Sequence, residues 1–221
     1  MGIFNADLSP FVAAASLAGG WFGLYHAARH APWQRLNANG AFSAWCVFII
    51  CLPILWSFNV PVERGITLQL LGMPLFVLMF GRQLATVGLG IAVIAYTILQ
   101  GGAWHNLGMN LILMAVLPPW CVQAVMQLIY RFLPRHLFIY LLGNGFFGAM
   151  LMLSMIGFLS LGASALLAPG THVTENLVAY MLLLAWGESF LTGFLLTMFT
   201  VYHPQWVFTF DDAVYLNKPT S

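Results

Sequence analysis

Apolar residues run along this chain in long stretches between short polar breaks, with neither the two-residue alternation of a half-buried strand nor the narrow stripe of a soluble amphipathic helix. Taken between the breaks, they predict seven helices, at about 10–28, 40–58, 66–81, 83–100, 106–130, 136–168 and 175–202. A hydrocarbon core about 30 Å thick takes about 20 helical residues to cross, so these runs read as membrane spans. The third and fourth are short and separated only by Gly81-Arg82-Gln83, which predicts a tight helical hairpin. The sixth is too long for one straight crossing and carries Gly143, Gly145, Gly148, Gly157 and Gly162, so it is expected to tilt, kink or extend past the membrane. Pro118-Pro119 should distort the fifth by removing two backbone donors.

Composition agrees: 61% of the 221 residues are hydrophobic and only 6% are charged. The expected fold class is an all-α integral membrane protein, a bundle of about seven transmembrane helices forming one domain over 1–221. Residues 1–9 would be an extracytoplasmic segment and 204–221 a cytoplasmic tail. Charge orients it. Alternation over seven spans puts Arg29, Arg35, Arg82, Arg131, Arg135 and Lys218 on one side and only Arg64 on the other. The basic side is cytoplasmic, which places the N-terminus outside and the C-terminus inside a bacterial inner membrane.

A net charge of +1 supplies no basic stripe for nucleic acid, so membrane lipid is the expected surroundings. Cys46, Cys51 and Cys121 have no paired spacing and read as small hydrophobic residues within spans. The opening "MGIFNADLSPF" lacks the basic flank of a signal peptide and is too short to cross a bilayer. An enzyme is not expected. No Ser or Thr is convincingly matched to a His, and the histidines lie mainly at helix ends, which disfavours a bis-His haem.

Polar groups at membrane depth carry the remaining signal, because each is costly without a partner. Glu188, in "LAWGESFLTG", is the only acid well inside a predicted span; it reads either as a structural hydrogen bond between helices or as a substrate or proton site. In "QGGAWHNLGMNLILM", His105, Asn106 and Asn110 cluster at the outer end of the fifth span with Met109 and Met114, as metal donors or as an interfacial cap. His26 and His30 stand four apart on one helical face without a third ligand in sequence reach, and His136 and His203 lie at cytoplasmic helix ends. His172 is assigned to an outer loop. Small residues, as in "AAASLAGG", allow close helix approach.

Four stretches in order resemble the CbiM/NikM family, the cobalt- and nickel-specific substrate-binding membrane components of energy-coupling-factor transporters. The family's opening "MHIPDGFLSP" is similar to this chain's through Met1, Ile3, Leu8, Ser9 and Pro10. Its "NFPVPGGTSGHLLG" resembles "FNVPVERGITLQLLG", its "GG…LGANVFNMG" resembles "GGAWHNLGMNLILMA", and its "EAFLTG" resembles "ESFLTG" at Glu188 to Gly193. The resemblance implies an N-terminal segment that tucks into the bundle, where the terminal amine, the second residue and a His before "LLG" hold a Co or Ni ion. It also implies a transmembrane coupling subunit and ATPase subunits on other chains, since no phosphate-binding G-x-x-x-x-G-K-[ST] motif occurs here.

The chain departs from that pattern at both imidazoles, with Gly2 at the second position and Gln69 before "LLG". A carboxamide is a harder and weaker donor than imidazole for these ions. A small second residue also favours removal of the initiator Met, which would shift the terminal amine by one position. Expected metal ligands are therefore Met1, Gly2, His105 and Asn110, with Gln69 and Glu188 as substrate-binding residues. The alternative is a divergent CbiM-like subunit or metal-handling accessory that no longer transports cobalt or nickel.

Overall fold

The computed structural model describes residues 8–63, 66–100, 104–134, 136–167, 175–211 and 215. The first helix, α1, spans Pro10–His30, with Pro at its first position and Ser9 Oγ accepting from the Val12 amide at 3.4 Å. A short 3₁₀ turn, Trp33–Asn37, leads to α2 at Ala41–Ser57. An antiparallel hairpin follows, β1 at Val60–Glu63 and β2 at Ile66–Leu68, with Val60 opposite Leu68 and Pro61 opposite Thr67. The third predicted helix therefore does not begin at 66. Val60, Val62, Ile66 and Thr67 are β-branched and suit paired strands, and helix starts only after Gly72.

The helix α3, Met73–Leu99, is broken at Gly81, where φ 77° and ψ 171° lie outside the helical region. This conformation is open to glycine and strained for other residues. The two arms fold against each other: the Phe76 ring lies 2.6 Å from where a Cβ on Gly88 would stand. In a straight helix those residues would be about 18 Å apart. The Gly81-Arg82-Gln83 turn is thus the sharp reversal read from the sequence. The first arm, 73–80, is about 12 Å long, less than half a membrane core. Every residue of it is buried, and the rest of the bundle is built around it.

The next helix, α4, covers Trp104–Phe132 and is π-helical from Leu111 to Val116, immediately before Pro118 and Pro119. Without amide protons there, the carbonyls one turn earlier lose their partners and the local ladder widens, as the proline pair predicts. The long α5, Leu137–Leu167, contains a π-helical stretch from Tyr140 to Gly148, the irregularity expected of the sixth run. The last long helix, α6, is Glu175–Tyr202.

Among the described residues, four helices are long and apolar enough to cross a membrane: α3, α4, α5, and α6 from Asn176; α2 is a shorter apolar helix. The outer faces carry Phe11 and Phe22 of α1, Phe42 and Ile50 of α2, Leu151 and Phe158 of α5, and Phe190 and Val201 of α6, all exposed. An apolar exterior of this extent belongs in lipid, and the chain is a multi-pass membrane protein. Small residues set the closest packing. A Cβ on Gly108 would fall 2.2 Å from the Leu17 amide nitrogen, so α1 and α4 cross in backbone contact, with Gly20 and Gly23 of α1 facing Leu111 and Val116.

The segment after α6 is packed into the bundle. Trp206 Nε1 donates to the Asn39 carbonyl at 2.9 Å, and the Phe208 amide donates to the Met79 carbonyl at 2.6 Å. Thr209 Oγ1 donates to the Leu78 carbonyl, which leaves the Tyr140 hydroxyl to donate to Thr209 at 2.6 Å. Two of the carbonyls that the first arm of α3 would leave open at its end, those of Leu78 and Met79, are thereby satisfied.

Candidate functional site

Residues 69–72 form a short non-helical entry into the first arm of α3, and two distant helices fix it. Trp56 of α2 donates from Nε1 to the Leu71 carbonyl at 2.8 Å. Glu188, midway along α6, accepts the Leu71 amide on Oε2 at 2.8 Å and the Gly72 amide on Oε1 at 2.6 Å. Gly72, at φ 66°, turns the chain into the helix, and a Cβ there would lie 2.8 Å from Leu52 Cδ2. The carboxylate thus sits at the positive end of a buried half-helix and takes up two of its unpaired donors. Of the two sequence readings of Glu188, the hydrogen bond locking helices together is the one this geometry displays.

Gln69 stands two residues before that anchored backbone. It is 3% exposed, and among the described residues neither Oε1 nor Nε2 has a hydrogen-bond partner. A buried amide without partners costs about 1–3 kcal/mol of desolvation, which sets Gln69 apart in a frame whose neighbouring backbone is hydrogen-bonded.

The other sequence candidates fall in different places. Asn106 and Asn110 are buried at 0 and 5% exposure, whereas His105 is exposed on the 3₁₀ turn Trp104–Asn106. The Asn106 amide nitrogen reaches the His105 ring nitrogen Nε2 at 3.2 Å. The structure therefore does not bring His105 into the buried set with Asn110. Met1, Gly2 and His172 lie outside the described residues. His26 and His30 do share a face, with ring centroids 4.4 Å apart, but both are exposed and His30 Nδ1 is bonded to the His26 carbonyl at 2.8 Å. His136 Nδ1 accepts the Phe138 amide as a helix cap, and His203 stacks on Trp206 at 4.1 Å. Among the described residues, no three His, Cys, Asp or Glu side chains converge in a way that could hold a metal ion.

This frame joins two of the motifs that the sequence resemblance rests on, because "ESFLTG" grips the backbone of "LLG" through Glu188. The sequence profile described as CbiM, cobalt uptake substrate-specific transmembrane region, matches residues 2–206. The chain belongs to the CbiM family. Two solved structures are similar in fold. A transition metal transporter has a TM-score of 0.72 and 20% identity over 91% of this chain and 93% of its own. A truncated transition metal transporter has a TM-score of 0.72 and 21% identity over 92% and 99%. No curated protein matches significantly. Membership in CbiM makes this chain a membrane component of metal uptake.

One functional candidate escaped the sequence reading. Asn144, on α5, is 2% exposed and among the described residues neither side-chain atom has a hydrogen-bond partner. Its signal was a lone polar residue between Gly143 and Gly145 in an otherwise apolar run, where the glycines drew attention to helix bending instead.

Proposed function

We propose that this chain is the substrate-capture subunit of an energy-coupling-factor-type uptake system for a divalent transition-metal ion of the cobalt and nickel type. The observation that carries this reading is Gln69: a buried amide without a partner among the described residues, in the position of the family's imidazole, beside a backbone held by Glu188 and Trp56. Met1, Gly2 and Asn110 would supply further donors, and the exposed His105 would need to turn inward to join them. Amide donors in place of imidazoles imply weaker retention of a borderline divalent ion such as Co²⁺ or Ni²⁺. Energy would come from a coupling subunit and ATPases on other chains.

The proposed topology is seven crossings of a bacterial inner membrane, with the N-terminus outside. The third crossing would combine the non-helical entry 69–72 with the half-helix of about 12 Å. That composite keeps Arg82 on the same side as Arg29 and Arg35, as the positive-inside asymmetry requires. A second reading, an accessory subunit that has lost cobalt and nickel transport, draws on the missing imidazoles.

Native mass spectrometry of detergent-purified protein with an untagged N-terminus, before and after Co²⁺, Ni²⁺, Cu⁺ and Zn²⁺, separates the two. One stoichiometric ion, lost in Gln69→Leu, supports capture of a metal. No bound ion at any concentration short of nonspecific adducts supports the accessory role.

A further inference from the structure

We propose that His26 and His30 form a separate, exchangeable site for a divalent transition-metal ion such as Ni²⁺, at the end of α1 that carries Arg29. The site itself is independent of Gln69; only its use as a landing point for an ion that has crossed rests on the metal-capture reading above.

The two residues stand four apart on the last two turns of α1, where a helix sets side chains one above the other. Their ring centroids are 4.4 Å apart, with 32° between the ring planes. Two metal-to-nitrogen bonds of about 2 Å each bridge donors up to about 4 Å apart, so one ion can take a nitrogen from both rings after a modest turn about χ2. The tautomer of His30 is set for this. Its Nδ1 lies 2.8 Å from the His26 carbonyl oxygen, which can only accept, so Nδ1 carries the proton and Nε2 of the neutral ring keeps its lone pair. Donation from the other ring nitrogen to a carbonyl is how metal-ligating histidines are held in orientation. Neither ring nitrogen of His26 has a hydrogen-bond partner among the described residues, which leaves that imidazole available as well.

The surroundings make the site open and weak. Both histidines are exposed, and among the described residues no third His, Cys, Asp or Glu joins them. Water, or a ligand on another molecule, completes the coordination, and a site with open positions exchanges its ion where four protein ligands would hold it. The partial negative charge at the C-terminus of α1, which ends at His30, favours a cation there. Arg29 acts against it: its guanidinium is directed one turn back to the Tyr25 hydroxyl at 3.4 Å, and its charge still opposes a second cation close by. That balance suits an ion passed on rather than stored. In the proposed topology this end of α1 lies on the side of Arg35 and Arg82, where a released ion would emerge.

The test uses the untagged full chain in phosphatidylcholine nanodiscs, so that no affinity tag supplies histidines and the headgroups are in place. Wild type, His26→Gln, His30→Gln and the double variant, each also with Gln69→Leu, are titrated calorimetrically with Ni²⁺. Cu²⁺ bound to each is read by pulsed electron spin resonance, which counts coordinated imidazoles. Two imidazoles on one Cu²⁺ in wild type and one in each single variant are expected. Either change should also lower the Ni²⁺ affinity of this site by about tenfold or more, the least that loss even of a supporting ligand costs, whether or not Gln69 is present. The unfolding midpoint should not move, since both side chains are exposed. One imidazole per Cu²⁺ in wild type, or equal Ni²⁺ affinity across the variants, means that the rings act separately and overturns the site. Binding present in detergent and lost in nanodiscs overturns it too, because headgroups then cover the pair. A protein whose only Ni²⁺ is kept in Gln69→Leu and lost in the double variant retires the capture reading and leaves this site standing.

Discussion

Glu188 Oε1 accepts the amide proton of Gly72 at 2.6 Å across 116 residues of sequence, and this contact joins α6 to the start of the central half-helix. With the Leu71 bond on Oε2, both carboxylate oxygens are spent on backbone. Replacing one oxygen by an NH₂ group points a donor at a donor. Glu188→Gln should cost about 1.5–3 kcal/mol, the range for a hydrogen bond to a charged group, and Glu188→Ala more because both bonds go. Thermal unfolding in detergent should rank wild type above Gln and Gln above Ala; equal midpoints would mean the carboxylate does not hold the entry.

Gln69 is expected to separate stability from function. Gln69→Leu removes a buried amide that has no partner, so the protein should gain about 1–3 kcal/mol while losing its metal ion. Gln69→His should act oppositely on binding, raising Ni²⁺ affinity by roughly tenfold or more, since imidazole is the better donor for this ion. Calorimetric titration of the two variants beside wild type checks both. A Leu variant that binds metal normally would remove Gln69 from the site.

Much of this fold was legible along the chain, and the reasons differ by element. The apolar runs had to be helices because a bilayer leaves few other solutions, and the Gly81 reversal and Pro118 distortion follow from backbone chemistry that sequence states directly. The hairpin at 60–68 stayed hidden because its second strand, Ile66–Leu68, runs on into the apolar stretch that follows, where a short strand and a helix start give the same pattern. Glu188 announced itself as costly but not its partner, since its two donors are main-chain groups that any residue carries. His105 and Asn110 sit five residues apart, and a 3₁₀ turn sends one outward and the other in, a difference of local geometry that spacing does not encode.

The two glycines that bound the first arm of α3 should respond unequally to alanine. Gly72 has φ 66° and a Leu52 methyl 2.8 Å from the new Cβ, whereas Gly81 has φ 77° with nothing within 4 Å. Gly81→Ala carries only backbone strain, about 1–3 kcal/mol, and Gly72→Ala adds a steric cost in a packed core. Unfolding midpoints should fall further for position 72. The reverse order would mean that the Leu52 side chain yields freely.

Residues 206–209 hydrogen-bond to the end of the first arm of α3 and to Asn39, so loss of these contacts should be felt as lost stability. Thr209 is the sharpest probe, because its hydroxyl donates to the Leu78 carbonyl and accepts from Tyr140. Thr209→Val keeps the shape and deletes the hydroxyl, leaving a buried tyrosine hydroxyl and the carbonyl without those partners; the expected cost is about 1–3 kcal/mol. Thr209→Ser retains the hydroxyl and should lie closer to wild type. If both variants unfold with the wild-type midpoint, the segment is a passive tail; if Val alone falls, it is the cap on which the central half-helix depends.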